Sequence, residues 1–261
     1  MTPTAPARLV TDAERRARMA RRHGIAPQHR VADPVAATRV VTVLHSTEPP
    51  TPYLSIHARV DGVTGADVDR ALYDDRTLVE QLAMWRTLFV FPRDLLPAAW
   101  GSGSERVAGA EGRRIPKDVE KAGIATDGEA WLAAARARVL ARLEAHPDGI
   151  AAGDLRSFFP ELSTPVAVSA GSTRNHTRLL THLGLTADLV RGRNGGHWRI
   201  SHPVWVPMGR WLGEKPAPSS HDEGIRRARV GRDRLAAAGR PRAVGRAGPG
   251  ARPDADGLEA A

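Results

Sequence analysis

Two groups of side chains in this sequence are of types and spacings that could do chemistry on a nucleic acid. Arg174, Asn175, His176 and Arg178 fall together in a stretch with helical spacing. Arg191, Arg193, His197 and Arg199 alternate with the apolar Val190, Trp198 and Ile200, so an extended chain would carry them on one face. Guanidinium groups meet phosphate oxygens and guanine edges, and an amide meets adenine, so a helix and a strand edge with these residues suit DNA. The bland reading of the second set is a solvated edge hairpin protected by charge. Arg86, near the tip of another apolar hairpin, is either a surface charge or a further probe of DNA. Ser169-Ala170-Gly171-Ser172-Thr173 precedes the helical group and has amides and hydroxyls suited to a phosphate at a helix N-terminus. Leu44-His45-Ser46-Thr47-Glu48 gathers polar groups where an apolar run ends before Pro49-Pro50. Taken alone it reads as a helix C-terminus, with His45 at the negative end of the dipole and Thr47 in the turn.

Other chemistries find little support. No cysteine occurs, which excludes a disulfide framework, Cys-ligated zinc and a Cys nucleophile, and favours a reducing, cytoplasmic setting. There is no Walker loop, dinucleotide fingerprint, nucleophile elbow or helical zinc motif. His197 with His202, and His176 with His182, lack a ligand spacing, so neither metal nor cofactor is expected. No run approaches the ~18 apolar residues of a membrane span. Met1 to Arg22 is Arg-rich, lacks the apolar core of a secretory signal, and is interrupted by Asp12 and Glu14.

The elements that must position these residues follow from caps and periodicity. Thr11-Asp12-Ala13-Glu14 reads as a capping box opening a very basic helix to about His23. Asp33-Pro34 starts a helix whose apolar content is Val35, Val40, Val41, Val43 and Leu44. Thr51-Pro52 repeats that signal for 53–60, and Thr64 caps a helix to about Tyr73. Leu78 to Ala83 and Thr87 to Phe91 are β-prone runs around Met84-Trp85-Arg86, ended by Pro92 and Asp94. Residues 101–125, rich in Gly, Ser and charge, read as a mostly irregular linker. A second capping box, Thr126-Asp127-Gly128-Glu129, opens a helix with Trp131, Leu132, Ala135, Val139, Leu140 and Leu143 at helical spacing. A short helix around Leu155 follows, then one from about Arg174 to Leu183 ended by Gly184. Leu189 to Arg193 and His197 to Ile200 flank Asn194-Gly195-Gly196 as a hairpin. The fold class is mainly α with short β-hairpins (α+β). Its architecture is tandem winged helix-turn-helix modules at 1–100 and 126–215, joined by the 101–125 linker.

Particular residues also resemble a known family. Leu44-His45-Ser46-Thr47-Glu48-Pro49-Pro50-Thr51-Pro52-Tyr53-Leu54, Ala58-Arg59-Val60, Ala71 to Val79 and Met84 to Pro92 look like the winged-helix family of the crosslink-unhooking, AlkZ-like DNA glycosylases. Thr177 to Leu180, Leu189 to Gly192, Trp198, Trp205 to Met208 and Trp211-Leu212-Gly213 continue the likeness in the same order, over about Val31 to Gly213. The resemblance implies tandem winged helices on double-stranded DNA, and a monomer is expected. In active members it implies hydrolysis of the N-glycosidic bond of an alkylated or crosslinked purine without metal or cofactor. Where such glycosylases have Gln-x-Gln or Gln-x-Asp, this sequence has His45 and Thr47, which makes them the catalytic candidates. A neutral imidazole can accept a proton from water and a hydroxyl can position it, with Glu48, one residue out of register, as a source of negative charge. A non-enzymatic DNA binder or regulator, or an inactive truncated member, is the alternative.

The net charge of +9 is unevenly placed. From Gly224 to Ala261 there are nine Arg and four acidic residues, and no aromatic residue follows Trp211. Residues 216–261 therefore read as a basic Arg/Ala/Gly/Pro tail without a core. The family continues past the Trp-Leu-Gly segment into another winged helix and a β-rich domain, so the tail from about Ala228 is expected to be an out-of-frame or degenerate end. Reading the gene in its other frames tests that expectation.

Overall fold

The computed structural model describes residues 8–83, 86–168, 171–220, 222–223 and 226–227. Met84, Trp85, Ser169, Ala170 and the tail from 228 lie outside the described residues.

The first half begins with α1 (Asp12–Arg22), capped by the Thr11 hydroxyl on the Glu14 amide. The Glu14 carboxylate binds Arg8 and Arg18 instead of closing the expected box. α2 (Pro34–Val40) is capped by Asp33 on the Ala36 amide. It stops earlier than its apolar content suggests. Thr42 takes a left-handed φ of 77°, and the chain reverses into β1 (Leu44–His45). α3 (Pro50–His57) starts at the prolines rather than after them. α4 (Gly65–Asp69) carries a full Thr64/Asp67 capping box and runs into a wide turn over Arg70–Asp74. β2 (Leu78–Leu82) and β3 (Leu88–Pro92) follow, and β1, β3 and β2 form an antiparallel sheet in that order.

The segment read as an irregular linker is helical. After α5 (Leu96–Ala99), α6 spans Glu105–Lys121 and buries Ala108, Glu111, Ile115, Pro116 and Val119. That spacing is a helical stripe, and burial of the stripe against the second half outweighs the low propensity of Gly109, Gly112 and Pro116.

The second half repeats the connectivity of the first. α7 (Gly128–Glu144) is capped by Asp127, one residue later than Thr126. β4 (Ile150–Ala151), α8 (Ala152–Phe158), α9 (Asn175–Leu185), β7 (Leu189–Arg191) and β8 (Val204–Pro207) follow, with sheet order β4-β8-β7. An unexpected hairpin, β5 (Pro165–Val168) with β6 (Gly171–Arg174), stands where the phosphate-binding loop was expected. α10 (Met208–Leu212) closes the fold, and Gly213 ends it at φ 82°. Apart from α1 and the β5–β6 hairpin, each half thus runs helix, strand, helix, helix, strand, strand, with the first strand against the last.

Two local readings are corrected. Gly184 lies inside α9, and the left-handed residue after the helix is Ala187 at φ 59°. A Cβ on Gly184 would come within 2.7 Å of the Leu82 side chain, so glycine here lets α9 approach β2. The partner of β7 is 204–207, not 197–200, which forms part of the long β7–β8 loop. Asn194 organises that loop by binding the carbonyls of Gly196, His197 and Ile200 and the amide of His202.

The halves share their cores. One cluster joins Val79, Ala83, Phe89, Phe91 and Leu96 to Ala187, Val190, Val206, Met208 and Leu212. Leu82 belongs to the core of the second half, and Trp198 and Trp211 pack on that of the first. Trp100 Nε1 donates to the Leu185 carbonyl at 3.1 Å, Arg76 donates to the Trp211 carbonyl at 2.7 Å, and Gln81 donates to that of Gly184.

Candidate functional site

The strand register decides which polar groups meet. Leu44, Val90 and Glu80 stand in one row across the first sheet, while His45, Phe89 and Gln81 form the next. Directly paired residues share a face and neighbouring rows face opposite ways. Glu80 and His45 are therefore on opposite faces. The Ser46 amide donates to the Leu88 carbonyl at 2.8 Å, which extends the pairing by one residue and turns the Ser46 side chain to the Glu80 side. There the Ser46 hydroxyl donates to Glu80 Oε1.

On that face lies a cavity of about 40 Å³ bordered by Ser46, Thr47, Tyr53, Tyr73, Glu80, Arg191 and Trp198. A cavity of this size holds water and not a base. The Tyr53 hydroxyl donates to Asp69 Oδ1 at 2.6 Å, and its ring lies 5.1 Å from that of Trp198. Burial, the neighbouring Tyr73 and the bond to Asp69 push the Tyr53 hydroxyl far above its ordinary range. Tyr73 is pushed up to about 12, by burial first and then by the charge of Glu80. Burial raises the Glu80 carboxyl above the usual carboxylate range, opposed by the Ser46 hydroxyl and by Arg191.

A wider groove of about 260 Å³ adjoins this cavity, bordered by Arg86, His176, Thr177 and Thr181. Thr47, Leu88, Arg191 and Pro203 border both spaces. Thr47 is thus placed where a water-sized cavity meets a larger groove. The two motif residues divide. His45 borders neither space, its ring packs edge-on against Phe89 at 5.4 Å, and it touches Thr47 through Nε2 to Oγ1 at 3.2 Å. Its position on a sheet edge replaces the expected helix C-terminus. Glu48 is exposed and borders neither space, so the carboxylate of the cavity is Glu80, which sequence reasoning passed over as part of an apolar hairpin.

The expected DNA-contacting residues also separate. Arg174, Arg193, His197 and Arg199 are exposed, the last 5.5 Å over the Trp198 ring. Arg193 pairs with Asp74 and lies 5.2 Å over Tyr73. Arg86 is exposed at a left-handed φ of 62° and donates to the buried Glu111 at 3.1 Å. Asn175 and Arg178, expected on the outer face of the helix, are instead buried, because α6 covers that side of α9 and Asp118 binds Arg178 at 2.8 Å. Arg191 faces inward, 4.4 Å over the Trp205 ring, and not outward along a wing. His176 stands in the wider groove with its pKa lowered by burial and by Arg156 and Arg174. No group of three or more His, Asp or Glu suited to a metal occurs among the described residues. Nor is any described helix long and apolar enough to cross a membrane.

The groove, its cationic border and the repeated connectivity accompany a match to a family model, that of the AlkZ-like DNA glycosylases, over residues 38–256. This chain belongs to the AlkZ-like family. Streptomyces sahachiroi DNA glycosylase AlkZ shares the fold with a TM-score of 0.54 at 16% identity, covering 82% of this chain and 55% of that one. The chain therefore spans about half the length of that AlkZ structure. None of the curated proteins matches it. In this AlkZ-like chain Thr47 marks the edge of the groove, and the cavity behind it is completed by Ser46, Glu80 and Arg191.

Proposed function

We propose that this AlkZ-like chain binds double-stranded DNA through two winged-helix repeats and hydrolyses the N-glycosidic bond of an alkylated purine at Thr47. The observation that carries the reading is the position of Thr47 between a water-sized cavity and a groove lined by Arg86, Arg191 and His176. The groove offers cationic and hydroxyl groups to a backbone, and the cavity offers a place for the attacking water. Arg86, Arg174, Arg193, His197 and Arg199 are the DNA contacts, whereas Arg178 holds α9 against α6 from inside and Asn175 is buried. Thr47 touches the water and His45 positions the Thr47 hydroxyl.

The test is abasic-site formation by the full chain on a duplex carrying N7-methylguanine, compared with Thr47→Ala. Abasic sites with the wild type and a loss of roughly 10²-fold with the variant are expected. Tight duplex binding without abasic sites would support the second reading, a DNA binder that does no chemistry. That reading is favoured by the exclusion of His45 from the cavity.

A further inference from the structure

Hydrolysis at C1′ needs a base for the proton of the attacking water, and the His-x-Thr pair brings no carboxylate. Among the described residues bordering the small cavity Glu80 is the only acidic one. It comes from β2, not from the motif strand. Its Oε1 accepts the Ser46 hydroxyl. Thr47 borders the same cavity and also the adjoining groove of about 260 Å³. A volume of about 40 Å³ accommodates one water or a few, with a carboxylate and a hydroxyl as partners.

From this arrangement we infer that Glu80 is the general base of the cleft, taking the proton of a water that Thr47 aims from the small cavity at a sugar in the adjoining groove. The inference rests on the glycosylase reading of that groove. In the step, the water oxygen forms a bond to C1′ and its proton passes to Glu80. The C1′–N bond breaks with its electron pair staying on the purine, which leaves neutral because alkylation had made it cationic. Ser46 acts as a positioning residue by fixing one oxygen of the carboxylate. The groups that face Glu80 are Ser46 from β1, Tyr73 from the turn after α4 and Arg191 from β7. Arg191 forms no ion pair with it among the described residues, and its charge only partly opposes the burial that raises the carboxyl.

The experiment is single-turnover excision of N7-methylguanine from a duplex by the full chain, as a function of pH. Plain-duplex affinity and melting temperature are measured in parallel. Glu80→Gln is expected to lose 10²- to 10⁴-fold in rate while binding the duplex as the wild type does. Ser46→Ala keeps the carboxylate but removes a group that holds its pKa down, so the acid limb of the rate profile is expected to move to higher pH. Wild-type excision with an unchanged rate in Glu80→Gln overturns the inference and leaves the glycosylase reading standing. No excision by the wild type overturns both. If Glu80→Gln fails to fold, an acid limb unmoved in Ser46→Ala overturns the inference on its own.

Discussion

Thr47 and His45 share a hydrogen bond, yet only Thr47 reaches the cavity. Their substitutions are therefore expected to differ, with His45→Ala costing about tenfold in excision where Thr47→Ala costs roughly 10²-fold, measured under single-turnover conditions. A structural carboxylate behaves differently. The Asp188 side chain, 7% exposed, binds Arg136 at 2.9 Å and Lys215 at 2.8 Å. Burial alone would raise its pKa, but Arg136, Lys215 and Thr186 hold it below the ordinary value. Its stabilising contribution is thus complete above the ordinary Asp range and lost as pH falls through the lower folded value. Asp188→Asn is expected to cost about 2 kcal/mol near neutral pH and to lose that penalty in acid, as denaturant melts at several pH values will show. At this scale the sequence displayed the His45-x-Thr47 motif and the cationic residues, though not the strand that carries the motif. It could not display Glu80, because the carboxylate gains its meaning from Ser46, 34 positions away.

Elements were legible where their signals are local. The Thr11, Asp33 and Thr64 caps, the first hairpin and the α7 stripe stand as the residues dictate. Misreadings arose where tertiary contacts overrule the local pattern. The alternation at 197–200 mimics a strand, but Trp198 leaves it to pack on Tyr53, and 204–207, a continuous apolar run, takes the ladder. Gly184 looks like a helix stop and serves instead as the contact between α9 and β2. Gly184→Val is accordingly expected to destabilise by about 1–3 kcal/mol through overpacking against Leu82, read by denaturant titration. The two arginines of α9 and its cap separate by burial. Arg174→Ala should reduce the salt slope of DNA binding by about 1 and leave stability unchanged. Arg178→Ala should lower stability by about 1.5–3 kcal/mol, since it removes the buried partner of the half-buried Asp118.

Over the whole molecule, the expected division into modules and a linker gives way to two repeats with a common interior. The repeat itself was visible as two series of helices followed by a hairpin. The fusion was not, because composition gives no sign that Phe91 and Val206 belong to one cluster. The shared interior makes the unfolding of the halves inseparable. Calorimetry is expected to show a single transition, and Phe91→Ala should lower it as one unit, at a cost of about 3–5 kcal/mol. The shared interior also limits how this protein can be made. Trp198 and Trp211 pack on the core built by residues 37–90, and Arg76 stacks 4.1 Å from the Trp211 ring. A nascent chain on the ribosome thus lacks part of the wall of its first repeat until position 211 has emerged. The amino-terminal half thus reaches its full packing only once the carboxyl-terminal half is made, and a translation pause before Trp198 leaves the Tyr53 side of the cleft uncovered.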